Sequence, residues 1–468
     1  MLSCDIAKMF LKMLPAFFLS VFLFLFCLFP LSAISWAASY YVAMGGSDAY
    51  PGTLEQPFAT INEAANRAMP GDTVYLRSGT YNQIVYVWRS GTAATPITYS
   101  GYPGETTVID GQDTLPTADW GALFNVEGSY VVVRDLTVQN SNWMGLVLRG
   151  QHDQAINVKS YKNKEHGILV NGDYGLVENS EVWWNCKSNE YGKMLRGNWA
   201  SGLSAGRHPY FATIRKCKVW NNWGEGLSTF EAQNTTMEDN VVYDNWRPNV
   251  YLSDAKYTIF QRNLVYSTPG NPCNSGVQIG IAMGDEAYNP PSSDIKVINN
   301  FVSGNMRKFC WWQGVLGGGL INTLIGYNTF VNSVNETNFK IENGTHSNTS
   351  IENNIILQED SLPIAIIESS GGLSFSYNLW SKTFPPNASG TGNVIGNPQL
   401  RKTGPTGPGE LTPEWFKILD SSPARERAKV INEATEDYFG TARGRYPDMG
   451  AYELPSQPAP PTGLRVIP

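Results

Sequence analysis

The stretch NVVYDNW (240–246) sets a short apolar run between two asparagines, and the same phrase returns along most of the chain. It reads RDLTVQN at 134–140, NSEVWWN at 179–185, KCKVWNN at 216–222, DNVVYDN at 239–245, RNLVYST at 262–268 and NNFVSGN at 299–305. It continues as YNTFVNS at 327–333, NNIILQE at 353–359 and YNLWSKT at 377–383. Its second residue is Asp135, Ser180, Cys217, Asn240, Asn263, Asn300, Asn328, Asn354 and Asn378, and INVKSYKN (156–163) is a further copy with its register off by one. From Cys217 onward the copies follow at 23, 23, 37, 28, 26 and 24 residues, a short period with longer insertions. A second phrase lies between them: MGLVLRG (144–150), HGILVNG (166–172), SGLSAGR (201–207), EGLSTFE (225–231) and PNVYLSD (248–254).

Two or three short strands per period, none able to bury its face alone, is the pattern of a stacked coil. The architecture that follows is all-β: a right-handed parallel β-helix, a single-stranded solenoid whose coils lie about 4.8 Å apart. An Asn at the same turn of every coil can hydrogen-bond to its neighbours through its amide and tolerates a left-handed backbone, so the repeated Asn reads as an internal ladder.

A solenoid needs capped ends. In TINEAANRAMPGD, Thr60 and Glu63 have capping-box spacing and Ile61, Ala64, Ala65 and Ala68 have helical spacing before a Pro-Gly stop. A helix of about ten residues is expected there over the first coil. The expected division is a leader at 1–37, an N-terminal cap and first coils at 38–128, and repeats at 129–383. An irregular C-terminal cap at 384–455 and a Pro-rich tail at 456–468 would complete it.

Lys8 and Lys12 precede an apolar stretch from about Leu14 to Leu31, and the small residues of SAISWAAS follow, as in a secretory signal cleaved after Ala37 or Ala38. The body is therefore expected to be secreted or held at the cell envelope, with no membrane span once the signal is removed, and to be monomeric. A net charge of -7 and 16% charged residues argue against a nucleic-acid surface. Cys186, Cys217, Cys273 and Cys310 contain no C-x-x-C pair, which disfavours zinc. Cys273 and Cys310 each lie ten residues after a ladder Asn, so they are expected to stack and form a disulfide, with Cys186 and Cys217 buried and unpaired.

The N-terminal stretch YYVAMGGSDAYPGTLEQPFATINEAANRAMPGDTVYLRSGTY, together with GYPGETTVIDG, resembles the start of secreted right-handed β-helix proteins of the pectate-lyase-like superfamily, some of which use calcium and a lysine base. DMGAYE (448–453) resembles their closing motif. The resemblance implies the fold over nearly the whole body and an acidic polysaccharide as partner. It carries over no base: there is no paired Asp-Asp at a coil turn, and where a related group of lyases has a lysine this chain has Phe230 and Glu231.

Stacking the second phrase coil on coil gives an outward column of Val147, Leu169, Ser204, Ser228 and Tyr251. The strand ends form a column of Gly150, Gly172, Arg207, Glu231 and Asp254, and the positions before the strands give Met144, His166, Ser201, Glu225 and Pro248. The insertion at 187–201, with Lys193, Arg196 and Trp199, leaves the coil just before that patch. The sequence thus points to Arg207, His208, Glu225, Glu231 and Asp254 as catalytic candidates. His166, Lys193, Arg196, Trp199, Tyr251 and Trp311 are candidates to bind substrate, and Glu231, Asp254 and Asp285 to hold a Ca2+ ion. β-Elimination on a uronate polymer needs the substrate carboxylate neutralised, a base for the proton beside it and a donor to the departing oxygen. Paired carboxylates would instead suit a glycoside hydrolase, and a groove without chemistry would suit a glycan-binding or adhesion protein at the cell surface.

Overall fold

In the computed structural model, residues 37–197, 199–207, 209–275, 278–286, 292–314 and 317–455 are described. The expected leader before residue 37 and the tail at 456–468 lie outside them, as does His208. The body is a parallel β-helix of three sheets. Sheet I has 13 strands from Ser39–Val42 to Leu373–Ser376, sheet II 13 from Gly79–Tyr81 to Val394–Ile395, and sheet III 11 from Val85–Val87 to Ala365–Ile367. Each coil runs through sheets I, II and III in turn, and every strand pairs in parallel with the equivalent strand one coil on. Among the described residues no helix is long and apolar enough to cross a membrane.

Strands of three or four residues alternate apolar-in and polar-out, so Ile214, Met237, Phe260, Val297, Ile325 and Ile351 stack inside sheet I, all fully buried. Two files of asparagine close the corners. Between sheets I and II the Asn240 amide donates to Asn263 Oδ1 at 3.0 Å, and Asn263, Asn300, Asn328 and Asn354 each repeat this to the next. Each Oδ1 also accepts the preceding Asn backbone N–H, as in Asn263 N–H to Asn300 Oδ1 at 2.9 Å. The register at the first copy differs by one from the sequence reading. Arg134 pairs with Ile156 and Ile156 with Glu178, so Leu136 and not Asp135 lies over Val158 and Ser180.

The left-handed residue at this corner is the one before the ladder position: Asp135, Asn157, Asn179, Lys216, Asp239, Arg262, Asn299 and Tyr327 all have positive φ. Lys, Arg and Tyr accept that conformation because the coils above and below fix it. A second file, Asn163, Asn185, Asn222, Asn245 and Asn249, joins sheets II and III. It explains the recurring Gly of the GL phrase. A Cβ on Gly202 would meet the Asn222 side chain at 2.5 Å, and one on Gly226 would meet Asn245 at 2.5 Å.

The N-terminal helix spans Ile61–Arg67, shorter than expected. Thr60 Oγ1 caps Glu63 N–H at 3.1 Å, but Glu63 turns to Arg67 at 2.7 Å, and Asp48 takes the Thr60 N–H instead. At the other end Phe384 and Ala388 pack on the last coil. The segment beyond does not stay at that end. Leu400, Leu411, Phe416, Ile418, Met449 and Tyr452 lie along the outside of sheet II, over Tyr243, Leu264, Tyr266, Phe301 and Leu357. Apolar outward residues on that sheet demand such a cover.

The expected Cys273–Cys310 disulfide is absent: the four cysteines among the described residues are all buried free thiols. Equal offset from the ladder failed because the chain between is unequal. Cys273 sits in the 3-10 turn Pro272–Ser275 and packs with Cys186, Trp223 and Trp246, whereas Cys310 lies in the strand Arg307–Trp311 beside Ala282 and Tyr251.

Candidate functional site

The outward column of sheet III runs in register as Val147, Leu169, Ser204, Ser228, Tyr251, Ala282 and Cys310. Alternation puts Leu203, Leu227 and Val250 in the core and leaves the serines facing out. Above those serines is a cavity of about 260 Å³. Its walls bring together His166, Trp199, Arg207, Glu225, Tyr251 and Glu286, and also Trp120, which no repeat signalled.

Glu225 lies on the floor, 9% exposed, one coil after Ser201. Its Oε2 accepts the Ser201 hydroxyl at 2.8 Å, and Ser201 Oγ stands 2.7 Å from Ser228 Oγ, which reaches Ser204 Oγ at 3.0 Å. Burial, against the stabilising Ser201 bond, pushes the Glu225 carboxyl up to about 7, and the Glu286 charge adds to this. His166 Nδ1 accepts the Ser201 N–H at 3.2 Å, so the neutral ring carries its proton on Nε2. Burial first, and then the Arg207 charge, lower the imidazole to about 4.

Arg207 begins the turn after the strand Ser201–Gly206, with φ of 66°, and its guanidinium lies 5.3 Å from the Trp120 ring centroid. Among the described residues no carboxylate stands at ion-pair distance from it. Tyr251 OH donates to Glu286 Oε1 at 2.6 Å and accepts Trp312 Nε1–H at 2.9 Å; burial and the Glu286 charge raise its phenol well above the ordinary range. Trp199 is held from behind by Arg247, whose guanidinium is 4.1 Å from the Trp199 ring and 4.1 Å from that of Trp246.

Other candidates fall elsewhere. Arg196 turns away from the cavity, donating to Asn142 O at 2.7 Å and lying 3.9 Å over the Trp143 ring, where it anchors the insertion that carries Trp199. Lys193 is exposed on that insertion, outside the cavity walls. Trp311 is fully buried inside the helix, edge-on to His346 at 4.8 Å, so it cannot meet a sugar; alternation sends Trp312 outward in its place.

Glu231 and Asp254 follow Arg207 on successive coils, as the column requires, but lie beyond the cavity walls. They do not converge with Asp285 on a cation. Asp254 Oδ2 accepts the Ser253 hydroxyl at 2.7 Å, while Asp285 Oδ1 accepts Ser292 N–H at 2.7 Å beneath the glycines at 317–319. Among the described residues no three His, Cys, Asp or Glu side chains come together as a metal cluster.

The family model of the Pel9A-like right-handed β-helix region matches residues 40–256. Pectate lyase PEL9 of Emericella nidulans is 28% identical over 211 residues, 42% of this chain and 51% of that protein. The chain thus spans about half the length of the curated pectate lyases it matches. Among solved structures, pectate lyase Pel9A superposes with a TM-score of 0.56 at 18% identity, over 90% of this chain and 97% of its own. The complex of XylC with xylose does so with 0.62 at 11%, over 90% and 99%. With the three sheets and their register, these matches make the chain a right-handed parallel β-helix, similar over residues 40–256 to the Pel9A-like β-helix region.

Proposed function

We propose that the cavity over sheet III binds an acidic glycan and cleaves it by β-elimination. The observation that carries this reading is a pair in one cavity: Arg207, a cation without a carboxylate partner among the described residues, and Glu225, a carboxyl that titrates near 7. Groups shifted by burial and a specific charge are what proton-transfer chemistry requires, and they concentrate at functional sites. Pectate lyases among the relatives support the same class of substrate.

In this reading Arg207 pairs with the substrate carboxylate and so acidifies the adjacent carbon. The proton goes to Glu225, the electron pair of that C–H bond forms the new C=C bond, and the glycosidic C–O bond breaks. The carboxyl so formed is the acid available to the departing oxygen, and His166 Nε2–H is a neutral hydrogen-bond donor in the same cavity. Trp120 and Trp199 offer apolar ring surface for the sugar.

One feature favours a second reading. Glu225 and Glu286 are two carboxyls of one cavity, and the charge on Glu286 raises Glu225. A raised carboxyl with a second one in the same cavity suits the acid and base or nucleophile pair of a glycoside hydrolase.

The test is to incubate the protein with polygalacturonate, alginate and glycosaminoglycans, with calcium and with chelator, following unsaturated-uronate absorbance and reducing ends together. Both rise for a lyase and only reducing ends for a hydrolase. Neither rises for a glycan-binding protein, which would retire the enzymatic reading.

A further inference from the structure

The outward column of sheet III is covered on both sides of the cavity. Toward the N-terminus Ala122 and Val147 have no exposure, Met144 3% and Leu169 5%, and together they form a small apolar cluster outside the coil. Trp120, set 5.4 Å from Trp143, lines the cavity at this end together with Met144 and Leu169. Toward the C-terminus Ala282 and Cys310 have no exposure and Tyr251 5%, under Trp312. A groove for the interior of a polymer would leave this column open over many coils. Here the two apolar clusters bound it, Met144 and Leu169 forming the wall at one end and Tyr251 at the other, and the polar floor between them spans the strands Ser201–Gly206 and Glu225–Phe230. The cavity, at about 260 Å³, is smaller than the roughly 300–1,000 Å³ typical of pockets that enclose drug-sized ligands.

From this geometry we infer that the site is a blind pocket for one or two sugar residues, so that its substrate is a short acidic oligosaccharide or the end of a chain and not the chain interior. This rests on the reading of the cavity as a glycan site. Arg207 at one lip would pair with the carboxylate of the terminal residue, and affinity would stop growing once the pocket is full.

The experiment uses the whole chain with galacturonate oligomers of two to six residues and with polygalacturonate. Tryptophan fluorescence reports binding at Trp120 and Trp199, and size-exclusion chromatography follows the products. The expected result is an affinity that plateaus by the di- or trisaccharide, and unsaturated mono- or disaccharide from the first time points while the polymer keeps its size. Early collapse of polymer size overturns the pocket but leaves the lyase reading standing. A plateau at the disaccharide with no cleavage removes the lyase reading and keeps the pocket. Affinity that rises up to the hexamer overturns the pocket, and no binding by any uronate overturns both.

Discussion

Ser201 Oγ donates to Glu225 Oε2 across adjacent coils at 2.8 Å, yet burial still holds that carboxyl near 7, above its ordinary 4.5. In the unfolded chain the group ionises from about 4.5, so between there and 7 the unfolded state loses a proton that the native state keeps. Native stability therefore falls as pH rises through this window, by about 3 kcal/mol once the native carboxyl is also ionised. Glu225→Gln keeps an acceptor for Ser201 and removes the charge. The variant should unfold at higher urea than the parent at pH 8, match it near pH 4, and have lost turnover. Activity of the parent should rise with pH through about 7 if Glu225 is a base, and fall if it is an acid.

Arg207 is the cation placed to meet a substrate carboxylate. A charge-assisted hydrogen bond contributes about 1.5–3 kcal/mol, so Arg207→Ala should raise KM for a uronate substrate about 10- to 100-fold and leave binding of a neutral analogue unchanged. Titrations of acid and methyl-ester forms of one oligosaccharide make the comparison. Equal losses for both would assign Arg207 a packing role against Trp120.

Arg247 lies between Trp199 and Trp246, and its charge also acts on Glu225, lowering that carboxyl against the effect of burial. Arg247→Ala should free the Trp199 ring, raising KM several-fold, and should move the pH dependence of kcat upward because Glu225 loses a charge that lowers it; Arg247→Lys should keep the pH dependence but recover only part of the KM loss because an ammonium cannot stack. Trp199→Ala should reproduce the rise in KM without the shift in pH dependence, which steady-state kinetics of the three variants across pH would show.

Asn300 shows how much the corner files carry. Its amide donates to Phe260 O, Ile298 O and Asn328 Oδ1 at 2.9–3.0 Å, and its Oδ1 accepts two bonds from Asn263. Asn300→Ala leaves these buried groups without partners, at about 1–3 kcal/mol for a group so stranded. The urea midpoint should drop markedly, and hydrogen exchange should quicken first in the coils on either side. An unchanged midpoint would mean that strand pairing alone sets the corner.

Four buried thiols predict slow modification in the native state. Burial raises Cys186, Cys217, Cys273 and Cys310 above the ordinary thiol range, so the reactive thiolate is scarce. An alkylating agent should leave all four untouched in buffer and label all four in denaturant without prior reduction. A Cys273–Cys310 bridge would instead show two unlabelled positions, restored by reductant.

The sequence by itself determined the coil. Period, apolar alternation and the corner Asn recur every 23 to 37 residues, and stacking each coil on the last turns any such recurrence into a column. The same logic put Ser201 beside Glu225 and set Arg207, Glu231 and Asp254 on successive strand ends, because parallel in-register pairing conserves position. Tertiary structure decided what the period does not contain. Trp120 and Glu286 reach the cavity from insertions, whose path depends on what they pack against and not on register. Cys273 left its expected column for the same reason, and residues 398–454 turned back along sheet II because its outward aromatics needed burial. Whether Glu225 is an ordinary surface carboxylate or one held near neutrality is likewise a matter of burial, which its position in the repeat leaves open and the walls around it fix.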